Sequence, residues 1–311
     1  MPPVNRWPDP MAPTGLLASW LAAVVALPLS LFTAAAGQGV GALLAGAGWI
    51  GVSVPWNRQA WALVNQPVLN FASLPAATGY WLGSWIAPLL LAALAIPLSL
   101  RLKALASQLF VVQCAWMAIV IGVAWQPALD PELSHLARWL RFHDLPPELR
   151  WISAGLGAAA AVPIVLRLIA LARITRHHMS RSRRLAVTAF HMVPAPLAWV
   201  ATTTIIRGGV EVETCIVAAV PMLVVLAVAW IGYPPPLTHP VAPVRWRVLA
   251  HLITVGLLVC TAFWFAGRPL PDDRAAGLQW ARAGSFNNIR PWMEPLLAPW
   301  LKPTPLGEDD S

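Results

Sequence analysis

Seven apolar runs mark the chain, each separated from the next by a polar or proline-rich segment. They are Leu16–Leu44, Tyr80–Leu100, Leu105–Trp125, Trp151–Leu171, Leu185–Ile206, Cys215–Tyr233 and Val248–Ala266. A helix that crosses a bilayer needs about 20 mostly apolar residues, and these runs meet that length. The first exceeds one crossing and leaves room for a break near its clustered glycines. Pro194 and Pro196 are expected to kink the fifth, because proline lacks an N–H and crowds the preceding turn. The pattern predicts an all-α fold, a polytopic transmembrane helical bundle of about seven spans over residues 1–266. A polar, Trp- and Pro-rich tail, residues 267–311, follows and is expected to rest against headgroups.

Two connecting segments are long. Asn57–Thr78 is polar and aromatic and holds Pro67 and Pro75; whether it contains a re-entrant piece is open. Gln126–Arg150 is the most charged internal loop. Within it SHLARWLRFHDL (residues 134–145) has helical periodicity and predicts a helix in the interface, with Trp139 and Phe142 on its apolar side. Arg167, near the end of the fourth run, is expected to snorkel toward water.

Composition supports the membrane assignment. Of 311 residues 58% are hydrophobic and 11% charged, with a mean hydropathy of +0.64. Soluble domains carry about 25% charged residues. The net charge of +8 is uneven, with Arg173, Arg176, Arg181, Arg183 and Arg184 close together. That cluster reads as a cytoplasmic loop under the positive-inside bias, and nucleic acid is not an expected partner. Arg101, Lys103, Arg245 and Arg247 then fall on the same side. An odd number of spans puts the N-terminus in the cytoplasm and the tail outside. The apolar first run lacks a clear cleavage signal and is read as a retained span. The expected location is the bacterial inner membrane, and the expected partners are the lipid bilayer and other transmembrane proteins or subunits. Many of the 18 tryptophans lie at span ends, among them Trp56, Trp81, Trp125, Trp151, Trp246 and Trp264, as suits an amphipathic ring.

Candidate chemistry is sparse. Cys114, Cys215 and Cys260 lie in apolar runs, without metal-ligand spacing, and read as small buried hydrophobes. His177 and His178 are adjacent and cannot share a metal-binding helix face. No Asp, Glu or Lys lies centrally in a span, which disfavours an ion-coupled carrier; Glu211 and Glu213 read as solvated. A G-x-S-x-G elbow is lacking, and no cysteine lies near a histidine. Gly37/Gly41 and Gly79/Gly83 have the spacing of close helix packing, within the chain or between subunits. His191 and His251 enter spans five and seven from the cytoplasmic side to similar depths, roughly 6–10 Å. Facing imidazoles can ligate haem iron or the magnesium of a chlorin. Neutral histidines bonded to carbonyls or interfacial water are the other reading.

Thr33–Trp56 reads TAAAGQGVGALLAGAGWIGVSVPW. An intramembrane zinc protease carries H-E-x-G-H on an apolar helix, because two histidines one turn apart meet one ion and the glutamate activates its water. Here A-A-A-G-Q fills those places, then come small residues, and WIGVSVPW alternates like a strand. Over roughly residues 16–57 the chain resembles the site-two-protease family of intramembrane zinc metallopeptidases. The resemblance implies a small β-hairpin after span one. It puts Ala34 and Gln38 at ligand positions and Ala35 at the general base, where none can serve, so neither a catalytic residue nor a bound metal is expected. The family's second motif, N-x-x-P-x-x-P-L-D-G-like, has a loose echo in HMVPAPL (His191–Leu197), its aspartate position falling near Ala198. Family members place the metal toward the cytoplasm, whereas the charge pattern here puts residues 34–38 near the outer face. The expected function is a non-catalytic binding or scaffold protein, a degenerate relative of these proteases that holds a partner's helix in the groove. The alternative is an accessory structural subunit of a respiratory or photosynthetic membrane complex, with or without a pigment at His191 and His251.

Overall fold

The computed structural model describes residues 12–53, 60–64, 74–124, 134–172, 179–197, 200, 212–234 and 242–267. Helix α1 (Pro13–Leu44) leads to two strands, β1 (Trp49–Ser53) and β2 (Trp61–Val64). Then come α2 (Leu74–Arg101), α3 (Leu105–Ile119) with a π turn at Val120–Ala124, and the short α4 (His135–Phe142). A single 3-10 turn, Pro147–Leu149, enters α5 (Arg150–Ala172); α6 (Arg181–Met192), α7 (Val212–Ile231) and α8 (Trp246–Gly267) complete the described elements. Four helical stretches are long and apolar enough to cross a membrane: Pro13–Leu44, Ala77–Arg101, Leu105–Ala124 and Pro147–Ala172. The described apolar stretches Ala219–Ile231 and Trp246–Val259 are shorter. The charged tail, residues 268–311, lies outside the described residues, as do Trp56, Trp125, Arg173, Arg176, His177, His178, Ala198 and Glu211.

Several expectations are corrected. The first helix is continuous through its glycines, because its small residues pack closely against neighbours along its length and no inserted group breaks the backbone ladder. Part of the stretch read as polar and aromatic forms β2, and its end opens α2. Trp81 is buried, in edge contact with Tyr80 and near His135, instead of marking an interface. Trp151 and Trp246 are exposed.

Helix directions follow from named contacts. Gly37 meets Gly83 and Gly41 meets Gly79, so α1 and α2 are antiparallel. On α3, Gln113 Nε2 donates to Ser19 Oγ of α1 at 2.7 Å. Helix α5 runs against α3, since Ser153 Oγ donates to the Val123 carbonyl while Arg167 reaches Gln108 near the start of α3. Helix α6 starts beside the end of α7, where Arg184 meets Ala229 and Trp230. Helix α8 starts where Ala242 pairs with Ala104 and brings Gly256 to Val25 of α1. One end of the bundle therefore gathers Arg101, Lys103, Arg181, Arg183, Arg184, Arg245 and Arg247. The strands and α4 occupy the opposite end.

Helix α3 is the axis of the core. Leu105, Leu109, Val112, Trp116 and Ile119 are fully enclosed by Leu27 and Leu31 of α1 and by Ile164, Val165 and Leu168 of α5. By contrast α2 is the most open of the four long helices, with 28% of its apolar window buried against 78% for α3. Ile86, Leu90, Leu94 and Leu98, each one turn after the last, form an exposed ridge along it.

Two buried arginines tie helix ends. Arg167 is not at the surface, because its donors have closer partners than water. Its Nε donates to Ser99 Oγ (3.0 Å), and its Nη2 donates to the Ser99 carbonyl (3.0 Å) and Gln108 Oε1 (3.1 Å). These bonds satisfy a C-terminal carbonyl of α2 that the helix itself leaves open. Arg184 does the same for α7. Its Nε donates to the Ala229 carbonyl (2.8 Å) and its Nη2 to the Trp230 carbonyl (2.7 Å), placing a cation at the negative pole of that helix.

The prolines of the fifth run end α6 at Met192, and among the described residues helix resumes at 194–197, the break expected at Pro194 and Pro196. Pro194 and Pro196 have no N–H for the carbonyls four residues back, at Phe190 and Met192. Those two carbonyls are taken by indoles, Trp20 Nε1 to Phe190 O at 3.1 Å and Trp116 Nε1 to Met192 O at 2.8 Å. Between them, Gln113 Nε2 donates to the His191 carbonyl at 2.8 Å. Replacing Trp116 by phenylalanine keeps most of the ring and strands one buried carbonyl, a loss expected to cost about 1–3 kcal/mol. Unfolding in detergent, followed against denaturant, measures it; an unchanged midpoint would show that the indole bond contributes nothing.

Candidate functional site

The A-A-A-G-Q segment lies near the C-terminal end of α1, where the strands, α2 and α4 converge. Ala34 (6% exposed) and Ala35 (0%) are packing residues. Gln38 is fully buried, and its amide orientation follows from its partners. The Ala62 N–H can only donate, and it points at Gln38 Oε1 (2.9 Å). Nε2 therefore faces His135 Nδ1 at 2.8 Å and donates to it. With Nδ1 accepting, the His135 proton sits on Nε2 and is donated to the Ala60 carbonyl at 3.1 Å. Tyr80 closes the arrangement through its hydroxyl, which donates to the Ala62 carbonyl at 3.2 Å.

This network fixes the strand pair onto the helices. Strands β1 and β2 are antiparallel, with Val52 opposite Ala62 and Ser53 opposite Trp61. Gln38 and His135 hold β2 from one side, and Trp49 of β1 folds its indole onto Gly39 of α1. A methyl group at Gly39 would stand 2.2 Å from that ring, so only glycine leaves room there. Helix α4 joins through His135, Leu136 and Leu140, all buried. His143, just beyond it, shares a 2.9 Å hydrogen bond with Thr78 of α2, and Trp139 Nε1 donates to the same hydroxyl at 3.4 Å. The helix read from sequence as lying in the interface is thus docked onto α2 by its apolar and histidine side.

The glycine pairs occupy the face of α1 next to Gln38. A Cβ on Gly37 would lie 2.1 Å from the Gly83 carbonyl oxygen, and one on Gly41 2.1 Å from that of Gly79. The crossing is internal, between α1 and α2, backbone against backbone.

The residues do not fit zinc. Ala34 and Ala35 carry no donor atom, the donors of Gln38 are engaged by Ala62 and His135, and among the described residues no group of three His, Cys, Asp or Glu could hold a metal. The HMVPAPL segment is not brought to this place. It packs beside Ser19 and Trp20, and Gln38 is 19 residues further along α1, about 28 Å by helical rise. His191 and His251 stand in different surroundings. His191 is fully buried, while His251 is exposed with its Nδ1 2.7 Å from the Arg247 carbonyl on its own helix.

Sequence reasoning missed His135 as the partner of Gln38, and Tyr80 and Ala62 with it. The available signal was an amide in an otherwise apolar stretch, which must find partners when buried. Compared with known protein families, with curated proteins and with solved structures, the chain matches none.

Proposed function

We propose that this chain is an integral membrane protein of seven crossings that acts by binding other membrane proteins and not by turnover. The observation that carries this is the use made of Gln38. At the position where the protease resemblance would need a metal ligand, the side chain is a cross-link between α1, β2 and α4, with both ends of its amide engaged. Chemistry would need a reactive group reaching space; here the group holds the fold. The alternating helix directions and the gathering of arginines at one end support a cytoplasmic basic end, with the strands outside, in a bacterial inner membrane.

Between the two binding readings, the accessory subunit of a larger membrane complex has the better support. The ridge Ile86, Leu90, Leu94 and Leu98 is a continuous apolar surface on the least enclosed long helix. The inactive-protease reading keeps the A-A-A-G-Q helix followed by paired strands. There, however, Gln38 is engaged by Ala62 and His135, and HMVPAPL lies beside the far end of α1.

A photo-crosslinking residue at Leu94, in native membranes, should yield a discrete adduct with another membrane protein, and the same residue at buried Leu109 should not. Adducts with lipid alone at Leu94 would refute the subunit reading. The purified protein should contain no stoichiometric zinc and should not cleave a transmembrane peptide. Cleavage abolished by Gln38→Ala would overturn the non-catalytic reading.

A further inference from the structure

The basic end holds a surface that the charge count alone does not describe. Arg101 ends α2 and Lys103 follows it, and Arg245 and Arg247 flank the start of α8, more than 140 residues later. Backbone pairing joins the two segments. The Ala242 N–H donates to the Lys103 carbonyl at 2.7 Å, and the Leu105 N–H donates to the Ala242 carbonyl at 3.0 Å, a parallel bridge between Ala104 and Ala242. Four cationic side chains, all exposed, are thereby assembled on one patch from two segments distant in the sequence. Trp246, 68% exposed, stands among them.

No negative charge offsets the patch among the described residues. Their acidic residues are Asp144, Glu148 and Glu213, the first two beyond α4 and the third in the first turn of α7. Glu213 lies 16 residues before Ala229, about 24 Å from the basic end by helical rise. Helices α3 and α8 also begin here, neither with an acidic residue in its first turn, while the opposing C-terminal poles of α2 and α7 are met by Arg167 and Arg184.

We propose that this composite patch binds the phosphate of anionic phospholipid headgroups, with the Trp246 indole seated at the headgroup boundary. The chemistry is that of charge paired with charge at a membrane surface, where each Lys or Arg contributes on the order of 1 kcal/mol. An exposed indole prefers the same depth, having an apolar body and one N–H. The inference rests on the membrane-embedded reading above.

The test uses the full chain in a neutral detergent with added phosphatidylglycerol, phosphatidylcholine or inorganic phosphate, read as thermal unfolding and as lipid retained on native mass spectrometry. Phosphatidylglycerol should stabilise the protein more than phosphatidylcholine, and raised salt should weaken the effect. The variant R101Q/K103Q/R245Q/R247Q should bind phosphatidylglycerol about tenfold or more weakly. R181Q/R183Q, which removes two charges elsewhere on that end, should weaken binding less than either R101Q/K103Q or R245Q/R247Q. If the fourfold variant does not fold, R101Q/K103Q and R245Q/R247Q should each show part of the loss. Equal stabilisation by both lipids, equal stabilisation by inorganic phosphate, or equal weakening by R181Q/R183Q would each overturn the assignment. A chain retained in membranes yet indifferent to phosphatidylglycerol defeats this inference alone. A chain not retained in membranes defeats the reading beneath it as well.

Discussion

Replacing Gln38 by leucine is expected to cost about 2–5 kcal/mol, close to the whole stability of many domains. Leucine fills similar space, so the loss is not a cavity effect. It comes from the Ala62 N–H and His135 Nδ1, which lose their partner where water cannot reach them. Each orphaned group costs about 1–3 kcal/mol. The effect should be local first. Amide exchange at Ala62 and along β2 should rise well before exchange in α3 and α5, because the network ties the strands and α4 to the bundle while the α3 core is built separately. Tyr80→Phe, which removes one long 3.2 Å bond and leaves the rest, should cost less. If the leucine variant unfolds at the same denaturant concentration as the parent, the amide is not the tie described here.

The second large effect is expected at the α1–α2 crossing, where alanine replaces glycine. At Gly37, Gly41 and Gly83 the new methyl would stand 2.1–2.2 Å from a backbone oxygen of the other helix. No rotamer change relieves contact with a backbone atom, so the helices must separate, at about 1–3 kcal/mol for each single change. The costs should not add. Gly37 and Gly83 share one contact, and once the helices have parted for one methyl the other finds room, so the double variant should fall short of the sum. Gly79 supplies the internal control, because a Cβ there meets only the Gly41 oxygen at 3.8 Å, an ordinary contact. Gly79→Ala should be nearly neutral, and unfolding titrations of the four single variants measure the contrast. Equal effects at Gly41 and Gly79 would contradict the geometry.

The apolar runs told where helices stand, since a long apolar stretch in this composition has few alternatives. They told less about where helices stop. The run from Leu185 reads as one span kinked at Pro194 and Pro196, but the residue at which α6 ends, Met192, with helix resuming at 194–197, was not given by apolar continuity. Periodicity could not say which face of each helix is enclosed, since helices this apolar have little polar face to point outward. So Arg167 looked like a residue reaching for water, when Ser99 and Gln108 lay closer. The site was least legible of all. Gln38 and His135 are 97 residues apart, and nothing in either segment alone names the other. The glycine spacing was visible, but its partner was not, because the same spacing serves an internal crossing and a contact between subunits alike.

The capture of the Phe190 and Met192 carbonyls by Trp20 and Trp116 has a consequence for biogenesis. In hydrocarbon an unsatisfied carbonyl has no solvent to turn to. If, as proposed, this proline-broken segment crosses the bilayer, it is a poor span by itself and a good one only beside α1 and α3, which leave the ribosome earlier. On that reading the order of synthesis matches the order of need, with the donors made before the acceptors.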